Sequence, residues 1–523
     1  MPFEIEKLDL DLAWRRVKSD LQTGRTFVHS PLEIELIEAA RVDWLDQLRE
    51  KLRIGYRPHS PLIADIPKGN GAVRPGALLS LEDRVVYSAA VGAILGSINT
   101  GLAWSQGRVD FSYRLSERLR RVDWFTNTFN SWTAFRNASL KRIEEGATYV
   151  VLTDITGFYE NIDLAVLFSD LRSLGADIEI VQLLQVCLNR WCVVPNRGIP
   201  QGQSPSDVLA KVYLNAVDQV IVDMGIDYIR YVDDMRIFCS EIPACKKALM
   251  FLTHALRRRG LNLQSAKTEI LSAVNAKRII EGITPVITEV QQRYREFLEE
   301  IMGSIDPYMS ISEIDQNVDP NAAPVEVVRE VFRLNFLEAG AKFNRTLFHY
   351  LLNRLGAQSD EYAVEYCLGQ FASKPQETQP ILDYIRMTPA IPRTFEVLEE
   401  FLESPECIYD YQIYQLFNWV NSLEGFPPSV RLIAIARRIS FDNARPAFLR
   451  GVCRIVLQNH GTMADLERLE GSYGAIHDEF EKAQLLVSLK RLEAGRRNAF
   501  YGRVGGDGPL CAQAVALVKE QRI

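Results

Sequence analysis

The run YIRYVDDMRIFC, residues 228–239, sets two adjacent acids, Asp233 and Asp234, inside an otherwise apolar, strand-like stretch. Burying a carboxylate without a partner costs several kcal/mol or forces it to stay protonated. A chain that keeps two of them there must fold so that something compensates their charge. The short flanking runs YIRYV and MRIFC predict a β-hairpin with the acids at its tip.

A third carboxylate, Asp154, ends a second apolar run, TYVVLTDI, which reads as a buried strand. Two strand-borne acidic sites brought side by side would make a hard, oxygen-rich pocket suited to Mg²⁺. Paired Mg²⁺ ions about 3.5–4 Å apart clamp the attacking and leaving oxygens of a phosphoryl transfer. The competing reading is an ordinary turn acid, since Asp is common in hairpin turns. The two acids taken alone leave both readings open.

The rest of the chain divides by periodicity. Up to about residue 280, helices alternate with short β-branched strands. LAVLFSDLRSLG predicts an amphipathic helix ending at Gly175, and SDVLAKVYLNAVDQVIVDMG a helix with Ser206 at its N-cap and Gly225 past its end. Beyond Pro285 the strand signals fade. Segments such as NRTLFHYLLNRLG, YQIYQLFNWVNSLEG and PAFLRGVCRIVLQNHG follow one another with Gly or Pro between them. Short helices with short connections over this distance resemble an α-solenoid, and SIDPYMSISEIDQNVDPNAAP is the expected linker or loop. A length of 523 residues calls for more than one domain, with expected boundaries of 1–280 and 281–523.

Composition excludes some classes. A net charge of −7 argues against a uniformly basic nucleic-acid coat, though not against a local basic groove. RLSERLRRVDWF and NSWTAFRNASLKR mix arginine with aromatics, as such a groove would. The eight cysteines contain no CxxC pair, and Cys187 and Cys192 have no nearby His; they read as reduced core thiols. The N-terminal stretch has no apolar signal region, and the longest apolar run, RVVYSAAVGAILGSI, is too broken to span a bilayer. A cytoplasmic protein without a membrane partner is expected.

Five stretches in order carry a resemblance. YVDD between short strands resembles the third palm motif of reverse transcriptases, and LTDITGFYENID the first. GIPQGQSPSDVLAKVYLNAVD is similar to the second, RRRGLNLQSAKTEIL to the fourth, and IADIPKGNGAVRPGALLSLEDRVVYSAA to the fingers. Each alone is weak; the ordered set is specific. It implies an α+β polymerase palm and fingers, reverse-transcriptase-like, followed by an all-α, HEAT- or α-solenoid-like domain. By the same resemblance, Asp154 and Asp233 hold two Mg²⁺ ions, with Mn²⁺ as a substitute. The Ile155 carbonyl assists, and Asp234 completes the acidic cluster. Lys68 and Arg74 contact the triphosphate of a dNTP. Tyr159 packs under the sugar and selects against a ribose 2′-OH, while Gln201 and Gly202 form the loop under the incoming nucleotide. Lys267 protonates departing pyrophosphate. The corresponding alternatives are a core tyrosine, a pre-helix turn, a solvated hairpin and a surface lysine.

A palm followed directly by a long helical region, without a thumb, RNase H acids or a retron-like VTG element, resembles the abortive-infection (Abi) class of bacterial antiphage reverse transcriptases. That resemblance implies oligomers that extend single-stranded DNA without a template from a hydroxyl of the protein itself, leaving the product covalently attached. Nineteen tyrosines and many serines and threonines compete for the priming role. An RNA-templated reverse transcriptase using a partner or cellular RNA, and an inactive palm serving as a helical scaffold, are the alternatives. Intact Asp154, Asp233 and Asp234 argue against the last.

Overall fold

The computed structural model describes residues 4–24, 26–28, 32–69, 71–116, 118–126, 128–281, 325–338 and 343–522. The chain begins with helices α1 (Leu10–Gln22) and α2 (Glu33–Gly55) and an antiparallel hairpin, β1 (Leu62–Pro67) and β2 (Val73–Leu78). Helices α3 (Leu81–Ala93), α4 (Leu95–Leu102) and α5 (Thr128–Glu144) follow. Next come β3 (Tyr149–Thr153), the short α6 (Phe158–Asn161), α7 (Leu164–Ser173), α8 (Ile178–Trp191) and α9 (Ser204–Asp223). The hairpin β4 (Tyr228–Tyr231) and β5 (Asp234–Cys239), α10 (Ile242–Arg257), β6 (Glu269–Ser272) and α11 (Ala273–Ile280) complete this half.

The four later strands form one antiparallel sheet in the order β4-β5-β3-β6. β3 is central, which explains its β-branched, unalternating sequence: Val150 and Val151 are both fully buried on opposite faces. The helix predicted over SDVLAKVYLNAVDQVIVDMG starts three residues early. Gln203 is its N-cap and Pro205 lies in its first turn, where proline's fixed φ suits a helix start. Ser206 is therefore not the cap; its hydroxyl donates to the Pro200 carbonyl at 2.5 Å instead. Trp124 and Phe135, expected as stacking surfaces, are buried, and Arg16 lies 4.1 Å over the Trp124 ring. None of the eight cysteines forms a disulfide. Among the described residues no single helix is long and apolar enough to cross a membrane.

Beyond 324 the described residues are helical. They run α12 (Val325–Phe332), α13 (Arg345–Ala357), α14 (Val364–Leu368), α15 (Thr378–Arg386), α16 (Ile391–Glu403), α17 (Asp410–Asn421) and α18 (Val430–Ser440). They continue with α19 (Ala447–His460), α20 (Met463–Ser472), α21 (Glu479–Ser488), α22 (Ala494–Val504) and α23 (Pro509–Lys519). α12 passes into a π-helical turn over Arg333–Leu337. The expected linker at 304–324 lies outside the described residues. Alternate helices α13, α15, α17, α19, α21 and α23 pack in a continuous row, and α16 packs on α18 beside it. The row closes on the N-terminal half, with α23 against α2.

The apolar clusters cut across chain order. One joins residues 5–280 to residues 457–518; the other takes residues 328–456 together with Val28. The hairpin β1–β2 also touches the helical row, through α17 and the turn Pro375–Glu377. A cavity of about 230 Å³ lies at this junction, lined by residues including Asp65, Tyr409 and Phe448.

Candidate active site

The register of the sheet gathers the acids. Thr153 of β3 pairs with Met235 of β5, so one step further Asp154 stands level with Asp234. Tyr231 pairs with Asp234 across the hairpin, leaving Val232 and Asp233 as its two turn residues. Val232 has φ +56°, in the left-handed region where a β-branched side chain is strained. The hairpin predicted from YVDD is therefore present, with Asp233 at the tip and Asp234 opening the second strand.

The electrostatics follow from crowding. Burial, then the Asp154 carboxylate beside it, push the Asp233 carboxyl up to about 7. Burial also raises Asp234, against the pull of Arg236. Lys267 lies in the turn Ser265–Lys267 and its ammonium is ion-paired with Oδ2 of Asp154. Burial lowers the Lys267 pKa, but the three acids, Asp154 first, hold it above the ordinary lysine value. The second Asp154 oxygen, Oδ1, is buried without a hydrogen-bond partner. Among the described residues no group of three His, Cys, Asp or Glu side chains stands ready-made around a metal position. Yet an oxygen-only donor set, an orphaned carboxylate oxygen and a carboxyl whose pKa burial and a neighbouring carboxylate raise are what a hard divalent cation would relieve, so the residues fit one. The Ile155 carbonyl accepts no hydrogen bond among the described residues.

Beneath the hairpin lies a buried charge network that sequence reading missed. Arg230, in β4, spans Asp218 of α9 with Nε at 2.9 Å and Nη2 at 2.8 Å, and reaches Oδ2 of Asp110 at 3.0 Å. Lys211, two turns before Asp218 on the same face of α9, donates to the same Asp110 oxygen at 2.5 Å and to the Ser112 carbonyl at 2.6 Å. All four charged side chains are at most 2% exposed. Two cations balance two anions, so the cluster is neutral. Nη1 of Arg230 also donates to the Val232 carbonyl at 3.3 Å, linking the network to the strained turn. The signal available in sequence was Lys211 and Asp218 at i, i+7 in an otherwise apolar helix.

The other expected residues surround this centre. Tyr159 is buried, packs 5.3 Å from Phe158 between ring centroids, and donates to Oδ1 of Asp207 at 2.7 Å. Burial, then the Asp207 charge, raise its phenol well above the usual range, and Asp233 is close enough to add to this. Lys68 and Arg74 flank the tip of the β1–β2 hairpin; among the described residues neither side chain has a partner. Gln201 and Gly202 form the turn before α9, with Gly202 at φ +84°.

Residues 66–298 match the family described as "Reverse transcriptase (RNA-dependent DNA polymerase)". This part of the chain is similar to a reverse transcriptase domain. Nucleotidyl transfer is the chemistry of that family. The retron Ec86 reverse transcriptase of Escherichia coli is 26% identical over 163 residues, 30% of this chain and 49% of the relative. The chain thus spans about half the length of that curated relative. Apo telomerase from Candida tropicalis aligns over 88% of this chain and 70% of its own at 13% identity and a TM-score of 0.32. A version truncated from its C-terminal domain aligns over 41% and 50% at 16% identity and a TM-score of 0.31. The reverse transcriptase domain contains the β1–β2 hairpin from Ile66 onward, the sheet, the acids and the buried network.

Proposed function

We propose that the chain is a DNA polymerase of the reverse transcriptase type, joining dNTPs by two-metal nucleotidyl transfer. The observation that carries this is the convergence of Asp154, Asp233 and Asp234 around a buried, unpartnered carboxylate oxygen. Asp154, Asp233 and Asp234, with the Ile155 carbonyl, would hold Mg²⁺ ions. Such ions, when bound, lower the pKa of an attacking hydroxyl and offset charge building on the α-phosphate. Lys68 and Arg74, being unpaired, are free to neutralise a triphosphate. Tyr159, fixed through Asp207, gives a rigid surface for the sugar that disfavours a 2′-OH. Lys267, which pairs with Asp154, would protonate departing pyrophosphate.

The finer reading is an antiphage polymerase of the Abi class, template-independent and primed by a hydroxyl of the chain, acting as a cytoplasmic homo-oligomer. The helical row that follows the domain supports it. The competing reading, an RNA-templated reverse transcriptase, is favoured by the match to an RNA-dependent family and a retron enzyme. Purified protein with Mg²⁺ and labelled dNTPs but no nucleic acid separates them. A protease-sensitive labelled ladder is expected; label that appears only with added RNA template and primer favours the second reading. Undiminished incorporation by Asp233→Asn would refute the site itself.

A further inference from the structure

One side chain between α1 and α2, the half-buried Phe27, has no part in the chemistry above, yet it meets two parts of the chain far from it in sequence. A methyl group on Gly76 of β2 would lie 2.9 Å from Cδ2 of Phe27. One on Gly202 would lie 2.8 Å from Cε2 and 2.9 Å from Cδ2 of the same ring. Carbon atoms do not pack this closely, so the ring edge fits only because both walls lack a side chain there. The fingers strand and the turn before α9 are thus separated by the thickness of one aromatic edge.

Independent contacts hold the ring in place. Phe27 and Leu78 pack against the apolar cluster of the helical row, to which the buried Val28 belongs. The Val28 carbonyl accepts from Nη2 of Arg84 at 3.4 Å. On the other side, Ser204 at the start of α9 donates to Oδ1 of Asp20 in α1 at 2.7 Å. Phe27 and Val28, with α1 before them, are therefore tied to β2, α3, the turn before α9 and the helical row at once.

We propose that Phe27 closes the nucleotide pocket to a templating base. This rests on the polymerase reading: a dNTP held by Lys68 and Arg74 on one wall, above Gln201 and Gly202 on the other, directs its base into the gap between them. Template-directed selection requires a second base coplanar with the first, and hence a gap as wide as a base pair. The Phe27 ring is in contact with both walls of that gap. It leaves the incoming base an apolar edge in place of a hydrogen-bonding partner.

The test compares binding of two labelled primer duplexes to the full chain by fluorescence anisotropy, one blunt and one with a 5′ template overhang. The parent is expected to bind both alike. Phe27→Ala should gain at least about fivefold for the overhang alone, on the scale of one newly stacked base. Phe27→Leu, which keeps the apolar bulk, should behave as the parent. Phe27→Ser, which likewise removes the ring, should reproduce Phe27→Ala and serves if that variant fails to fold. With dNTPs present, the product of Phe27→Ala should begin to follow the overhang sequence. A parent that gains from the overhang as much as the variants, or variants that do not gain, overturns the proposal. Absence of any dNTP incorporation by the parent would instead overturn the polymerase reading, with the binding comparison still deciding the role of Phe27.

Discussion

At the scale of single residues, Asp233 binds its proton more tightly in the folded chain than an exposed aspartate does, up to about pH 7. The folded state therefore holds the extra proton between the ordinary aspartate range and pH 7, and stability falls as pH rises through that window. Asp233→Asn removes the dependence. In thermal melts without divalent metal it should match the parent near pH 4 and exceed it at pH 8, by a few degrees. Added Mg²⁺ should raise the parent's melting temperature at pH 8 and leave the variant's unchanged. Val232 gives a second prediction. Replacing it with glycine relieves a β-branched residue at φ +56° and should raise stability by about 1 kcal/mol in urea titration. The same change frees the turn that carries Asp233, so incorporation should fall. Asp154, Asp233 and Asp234 were legible because a buried carboxylate in an apolar strand has few structural explanations. Phe27 was not: its meaning lies in two distant glycines, and a lone aromatic between two helices says nothing of them.

At the scale of elements, the β4–β5 hairpin depends on α9. Arg230 ties the turn to Asp218, and Lys211 shares Asp110 with it, so the helix and the β4–β5 strand pair are one electrostatic unit. Arg230→Lys keeps the charge but loses the fork to Asp218 and the reach to the Val232 carbonyl. It should cost about 1–3 kcal/mol in urea unfolding. It should also lower kcat for dNTP addition while leaving the dNTP KM nearly unchanged, because Lys68 and Arg74 are untouched. Equal loss in both constants would mean a general loosening of the fold. The strands and the helix were readable from periodicity, apart from the start of α9, where Pro205 extended the helix back to Ser204. Their coupling was not readable, because Asp110 meets Lys211 across 101 residues of chain and Arg230 across 120.

At the scale of the whole molecule, periodicity expected strands to end near 280 and helices to follow; the last described strand ends at Ser272 and the described residues beyond 324 are helical. It could not foresee that the last helices pack back against α2 and share the apolar cluster of residues 5–280. A fragment ending at residue 281 leaves that face uncovered, as does one ending at 456. Both should be insoluble or bind a hydrophobic dye strongly, whereas the full chain should give one cooperative unfolding transition. A soluble, cooperatively folded 1–281 fragment would show that the palm and fingers need no cover. The contact between α2 and α23 also sets an order of events during synthesis. The polymerase core starts to emerge first and finishes folding last, since Leu510, Leu517 and Val518 are among its buried residues. A nascent chain carrying all three candidate carboxylates would still lack a completed core, so that activity is expected to arrive with the helix at 509–519 and not with those acids themselves.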